Sequence, residues 1–210
     1  MTVAQDRAWR ELWPSLGIEN GAEPIDFAAA FGRDAPVSLE IGFGNGESLV
    51  ALACANHDRN YLGLEVHPPG VGHLLLRCEA EQLHNVRVIC DDAVQVLQHR
   101  IADESLDELL LYFPDPWPKK RHHKRRIVQP AFVELVARKL KPGGILRMAT
   151  DWQPYAEHML ATAGACAALQ NKAATGAYVD RPDSRPVTRF EKRGQRLGHG
   201  VWDLAFSRRG

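Results

Sequence analysis

A chain of 210 residues with 45% hydrophobic and 25% charged side chains has the size and make-up of an α/β domain with a full core. No apolar run approaches the ~18 residues of a membrane span, and residues 1–10 hold no apolar signal core, so the expectation is a cytoplasmic protein with no membrane partner. The formal net charge of zero conceals a polarity: residues 1–118 hold 7 Lys and Arg against 19 Asp and Glu, and residues 119–210 hold 19 against 7.

That asymmetry suggests a polyanion partner for the second half; mutual attraction of two oppositely charged halves within one fold is the plain alternative. Cys54, Cys78, Cys90 and Cys166 are far apart and form no CxxC pair, which fits reduced thiols and disfavours a disulfide framework or a zinc site.

In chain order, residues 1–36 read as a short helical lead-in (Trp9, Leu12, Trp13) and a linker, and residues 37–210 as one domain. Strands are expected over 37–41, 61–66, 86–90, 109–113 and 145–150. Helices are expected over about 46–56, 69–83, 92–100 and 127–140 and from about 153 onward, the one at 127–140 stopped by Lys141, Pro142, Gly143 and Gly144. Regular alternation of this kind predicts a Rossmann-like, doubly wound, mostly parallel seven-stranded sheet with helices on both faces. Residues 201–206 read as an antiparallel C-terminal strand, residues 177–179 as the start of a partner to it, and 181–200 as a long arginine-rich loop.

The first strand runs into Gly42, Phe43, Gly44, Asn45 and Gly46. The spacing is GxGxG, not the GxGxxG of dinucleotide-binding turns, and by itself also suits a tight strand–helix turn. Glu40 lies inside the apolar strand, where an unpaired acid is costly. It would repel a pyrophosphate but suits the cationic amino-acid tail of S-adenosylmethionine. Glu65 ends the second strand, where an acid accepts from ribose hydroxyls, and Asp92 follows the third, where it suits the adenine amino group or simply caps a helix.

The fourth strand ends in Pro114, Asp115, Pro116, Trp117 and Pro118, a stiff turn that holds an acid and an indole. Residues 119–126 follow, with six Lys or Arg among eight; Arg121, Lys124, Arg125 and Arg126 are the candidate contacts to an RNA backbone, a solvated charged face being the alternative. His122 and His123 have no carboxylate or cysteine at ligand spacing, so no metal is expected. The fifth strand ends in Asp151 and Trp152. Two acids and two indoles suit a purine, and guanine offers N1–H and N2–H2 together to one carboxylate.

These residues resemble the bacterial tRNA (guanine-N7)-methyltransferase family. The motifs LEIGFGNGESL, GLEVHPPGVG, the PDPW turn with KKRHHKRRI, MATDWQPYAEHML and RPVTRFEKRGQRLGHGVWDLAF carry the likeness over nearly all of residues 9–207. The resemblance implies methyl transfer from S-adenosylmethionine to N7 of guanine 46 in the tRNA variable loop. It implies that Glu40, Glu65, Asp92 and Asp115, with the loop of Gly42, Gly44 and Gly46, hold the cofactor, and that Asp115 is also catalytic. Lys119 and Asp151 become substrate contacts, and Thr188, Arg189, Phe190 and Glu191 a loop that meets the substrate. Family members often carry a further basic stretch ahead of the first helix, and here the chain starts almost at that helix. A monomer or homodimer fits equally. The rival readings are a methyltransferase for an exocyclic amine, which tends to show Pro-Pro-Tyr/Phe where this chain has Pro-Trp, a nicotinamide-dependent oxidoreductase, and an RNA-binding module with a decayed pocket.

Overall fold

Buried parallel strands are nearly all apolar because both faces are covered, and this chain follows that rule. A computed structural model describes residues 1–175, 177–183, 185, 191 and 200–210. The chain divides into two compact units, Met1–Ala102 and Asp103–Gly210. Its strands form a seven-stranded sheet in the order β3-β2-β1-β4-β5-β7-β6.

The first unit begins with helices α1 (Val3–Glu11), α2 (Trp13–Leu16) and α3 (Phe27–Phe31). Strands β1 (Val37–Ile41), β2 (Asn60–Leu64) and β3 (Val86–Ile89) alternate with α4 (Glu47–Ala55), α5 (Pro68–Ala80) and α6 (Ala93–His99). All three strands are parallel, with Leu39 opposite Leu62 and Leu62 opposite Arg87. Residues 1–36 are more than a lead-in. Thr2 and Gln5 close a capping box on α1, which satisfies two otherwise orphaned N–H groups. Arg7 pairs with Glu79 on α5, Ile18 N donates to Val88 O, and Arg100 donates to the carbonyls of Glu19 and Glu23.

The second unit holds β4 (Leu106–Tyr112), a 3-10 turn (Lys120–Arg125), α7 (Pro130–Lys139), β5 (Leu140–Thr150), α8 (Gln153–Gly164), β6 (Leu169–Asn171) and β7 (Trp202–Arg208). β4 and β5 are parallel, and β7 lies antiparallel to both β5 and β6.

Three expectations need correcting. The helix expected from residue 127 begins at Pro130, because Gln129, which precedes the proline, is held extended at φ −118°, ψ 161°. The fourth strand starts three residues earlier than its apolar run: Asp107 and Glu108 enter it by pairing with Lys141 and Arg147 on β5, at 2.9 and 2.7 Å. The last strand pairs over Ile145–Thr150 with β5 and over Leu169–Asn171 with β6, while Val179 in the expected partner segment makes only an isolated bridge to Asp203.

Candidate active site

In the first unit the glycine turn after β1 has the conformation its sequence demands. Gly42, Gly44 and Gly46 have φ of 69°, 57° and 76°, a region that other residues enter at a cost. A Cβ at Gly42 or Gly44 would meet nothing within 4 Å. The turn therefore presents bare backbone to open space, as close approach of a ligand requires.

Behind the turn, Glu40 is 3% exposed, and its Oε2 has no hydrogen-bond partner among the described residues. Burial pushes its carboxyl up to about 8, against the opposing pull of the Ser48 hydroxyl on α4. A buried acid with an unused oxygen is expensive unless something cationic completes it.

Glu65, just past β2, is spoken for by the backbone. Its Oε2 accepts from Gly44 N at 2.9 Å, and its Oε1 from Val66 N and His67 N at 2.8 and 3.1 Å. Three of about four acceptor positions are used, so Glu65 both ties the glycine turn to β2 and keeps room for one hydroxyl. Asp92 caps α6 through Oδ1, which accepts from Gln95 N at 2.9 Å.

Sequence reasoning missed the brace beneath this turn. Gly70, in the first turn of α5, leaves no room for a Cβ against the Gly44 carbonyl oxygen. Pro68 and Pro69 just before it are held from α1: Gln5 Nε2 donates to Pro69 O at 3.1 Å and Trp9 Nε1 to Pro68 O at 3.2 Å. The Pro-Pro-Gly run after β2 was the available signal.

In the second unit, Phe113 N donates to Ala149 O at 2.8 Å, so the turns that follow β4 and β5 start side by side. One carries Asp115 and Lys119, the other Asp151. Asp115 is exposed and Asp151 half-buried. The residues on either side of the Pro-Asp-Pro core, Phe113 and Trp117, have φ of 51° and 43°. Each such residue costs on the order of 1–3 kcal/mol, and strain of this kind gathers at functional turns. Thr150 Oγ1 accepts from Trp152 N at 3.3 Å and fixes the second turn.

Of the basic run, Lys119, Lys120, Arg121, Lys124 and Arg125 are exposed. Arg125 lies over the Trp117 ring at 5.0 Å, and His122 meets that ring edge-on at 5.8 Å. Arg126 departs from the expectation of a backbone contact. It is buried; its Nε donates to Pro116 O at 2.8 Å, and its guanidinium lies 4.7 Å from the centre of the Tyr155 ring.

Thr188, Arg189 and Phe190 lie outside the described residues. Glu191, expected in the loop that meets the substrate, is 2% exposed and forms a two-point pair with Arg185, Oε2 to Nη1 at 2.6 Å and Oε1 to Nη2 at 3.3 Å. Arg185 also donates to Asp203 on β7 at 2.7 and 2.9 Å. Its guanidinium lies 5.9 and 5.6 Å from the Tyr112 and Phe113 rings. Sequence offered no sign of this buried triad.

Among the described residues no group of His, Cys, Asp and Glu is placed to hold a metal ion, and no helix is long and apolar enough to cross a membrane.

A family described as "Putative methyltransferase" matches residues 34–204. The tRNA (guanine-N(7)-)-methyltransferase of Serratia proteamaculans is 58% identical over 209 residues, 100% of this chain and 87% of the relative. That of Pseudomonas aeruginosa is 58% identical over 208 residues, covering 99% and 85%. The chain belongs to the tRNA (guanine-N7)-methyltransferase family. Solved structures share the fold at much lower identity. The 16S rRNA methyltransferase KamB superposes with a TM-score of 0.64 at 16% identity over 93% of this chain and 99% of its own. An rRNA methylase from Streptococcus thermophilus does so with 0.58 at 11%, covering 84% and 89%.

Proposed function

We propose that the protein transfers the methyl group of S-adenosylmethionine to N7 of a guanine in cytoplasmic tRNA, with guanine 46 of the variable loop as the target. The observation that carries the reading is the unused, buried oxygen of Glu40 behind an open glycine turn, in a chain 58% identical to tRNA (guanine-N7)-methyltransferases. The residues present fit the donor. Glu40 suits its ammonium, Glu65 a ribose hydroxyl, the backbone of 42–46 its close approach, and Asp92 the adenine edge.

When bound, S-adenosylmethionine supplies a methyl group made electrophilic by its sulfonium. The N7 lone pair lies in the purine plane and carries no proton, so no residue of this chain has to act as a general base. What the chain must do is align and stabilise. Alignment alone can supply ~7–11 kcal/mol in well-oriented systems. Asp115, on a rigid turn, stabilises the positive charge that develops on the purine. Asp151 accepts from the guanine N1–H and N2–H2, a charged hydrogen bond worth ~1.5–3 kcal/mol. Trp152 offers a stacking face beside it. Lys119, Arg121, Lys124 and Arg125 hold the RNA backbone, a role that Arg126 does not share.

The test is incubation with labelled S-adenosylmethionine and bulk tRNA, followed by nucleoside mass spectrometry and cleavage mapping of the modified position. The expected product is N7-methylguanine at 46. Label on another atom, or none, overturns the reading.

A further inference from the structure

We propose that Arg126, the last member of the basic run, is a positioning residue that latches the Asp115 turn, and that it makes no contact with phosphate. The inference rests on the methyl-transfer reading above.

Arg126 is 3% exposed, while the other Lys and Arg of the run face solvent. Its three contacts point one way. Nε donates to the carbonyl of Pro116, the residue after Asp115, at 2.8 Å. Nη2 lies 3.1 Å from His123 Nε2, which accepts from it. The flat face of the guanidinium lies over Tyr155 of α8 at 4.7 Å. No ion pair among the described residues includes Arg126, so a buried cation is held by a carbonyl, an imidazole and a ring. Taking a charge out of water without a counter-ion is costly, and here the arrangement secures the carbonyl of one residue. That residue adjoins Asp115 inside a turn whose Phe113 and Trp117 both have positive φ. A strained turn persists only where its surroundings over-determine it, and Arg126 supplies a fixed point in its middle.

The latch also joins the turn to the phosphate-binding run. Gln129 Nε2 donates to the carbonyls of His123 and Arg126 at 3.1 and 3.2 Å, and Trp117 carries His122 and Arg125 against its ring. The cationic 3-10 turn and the Asp115 turn are therefore one braced piece. Only a planar fork can aim Nε at Pro116 while stacking on Tyr155, so lysine keeps the charge of Arg126 but not its task.

The test compares Arg126→Lys and Arg126→Ala with wild type in three measurements: steady-state kinetics, the salt dependence of tRNA affinity, and amide hydrogen exchange. A misplaced catalytic turn should lower kcat by about tenfold to a hundredfold in Arg126→Lys, with the tRNA salt slope and the S-adenosylmethionine affinity unchanged. Exchange at the hydrogen-bonded amides that bracket the turn, Phe113 (to Ala149 O, 2.8 Å) and His122 (to Lys119 O, 2.8 Å), should quicken by about tenfold or more as local opening becomes easier, with β2 unaffected. A phosphate contact would behave in the opposite way: Arg126→Lys would keep kcat, and Arg126→Ala would flatten the slope by ~0.7–0.9. Either that pattern or unchanged exchange overturns the proposal. If Arg126→Ala does not fold, Arg126→Lys decides alone. If wild type itself methylates no tRNA, the functional reading fails, while the exchange measurement still reports on the latch.

Discussion

Gly70 on α5 and the carbonyl of Gly44 in the glycine turn lie so close that the first carbon of any side chain at 70 would collide with that oxygen. The neighbour is backbone and cannot swing aside. Gly70→Ala should therefore shift the turn, disturb the Gly44 N to Glu65 bond, and weaken S-adenosylmethionine binding by about tenfold or more, equivalent to ~1.4 kcal/mol or more. Equilibrium dialysis with the labelled donor checks this; native affinity in the variant would show that the turn has slack.

On the proposed reading, in which Glu40 meets the donor's ammonium, donor binding is linked to protons. Burial raises its carboxyl from 4.5 to about 8, so the folded protein favours the neutral acid. The stabilisation from that preference is complete below about 4.5 and disappears as pH rises through about 8. Without ligand, Glu40→Gln should then melt above wild type near pH 9. A cationic donor favours the carboxylate instead. Binding near pH 7 should release close to one proton, and affinity should climb until about pH 8. Titration calorimetry in two buffers of different ionisation enthalpy measures the release, which should be absent in Glu40→Gln. Heats that do not depend on the buffer would remove Glu40 from the donor site.

Asp115→Asn keeps the shape of the turn and removes its charge. Donor affinity should stay within a small factor while turnover falls by ~100-fold, the scale on which a single electrostatic contact to a transition state acts. Single-turnover methyl transfer with saturating tRNA reports the chemical step, and an undiminished rate would exclude Asp115 from it.

The exposed cations should act through the RNA backbone. Each phosphate neutralised contributes ~0.7–0.9 to the dependence of log affinity on log salt. Replacing Arg121, Lys124 and Arg125 together by Ala should reduce that slope by about 2, read from filter binding across a salt series. A slope equal to wild type would mean that these side chains only face solvent.

The buried triad predicts unequal losses. Glu191→Gln leaves Arg185 paired with Asp203, whereas Arg185→Leu takes from the buried Asp203 the guanidinium that holds both of its oxygens. Removing one partner of a buried pair costs ~3–5 kcal/mol; Arg185→Leu should reach that range and Glu191→Gln fall well short of it. Urea unfolding compares them, and equal destabilisation would break the account.

The strand–helix alternation was legible because β1 to β5 each contain a short apolar stretch followed by turn residues. Glu40 and the glycine triplet were legible because an acid and three glycines are out of place in such a run. Ile127 and Val128 misled because they continue the apolar spacing of α7, and only the constraint of Pro130 on Gln129 separates them from it. β6 has three residues and no alternation to read. Arg126 and Arg185 were illegible for a different reason. In sequence nothing distinguishes them from the other arginines nearby, and what sets them apart is the surface that packs over them, which depends on residues as distant as Tyr155 and Asp203. Glu191 shares that fate, since its carboxylate is engaged by Arg185.

The position of β7 between β5 and β6 has a bearing on biosynthesis. As the chain leaves the ribosome, Leu169–Asn171 emerges with no strand to pair with, and its partner arrives some thirty residues later. Everything the first unit needs, from capping box to glycine turn, has already been translated by then. Assembly is thus ordered in time: the first unit is fully synthesised before β7 arrives to join β5 and β6 in the second.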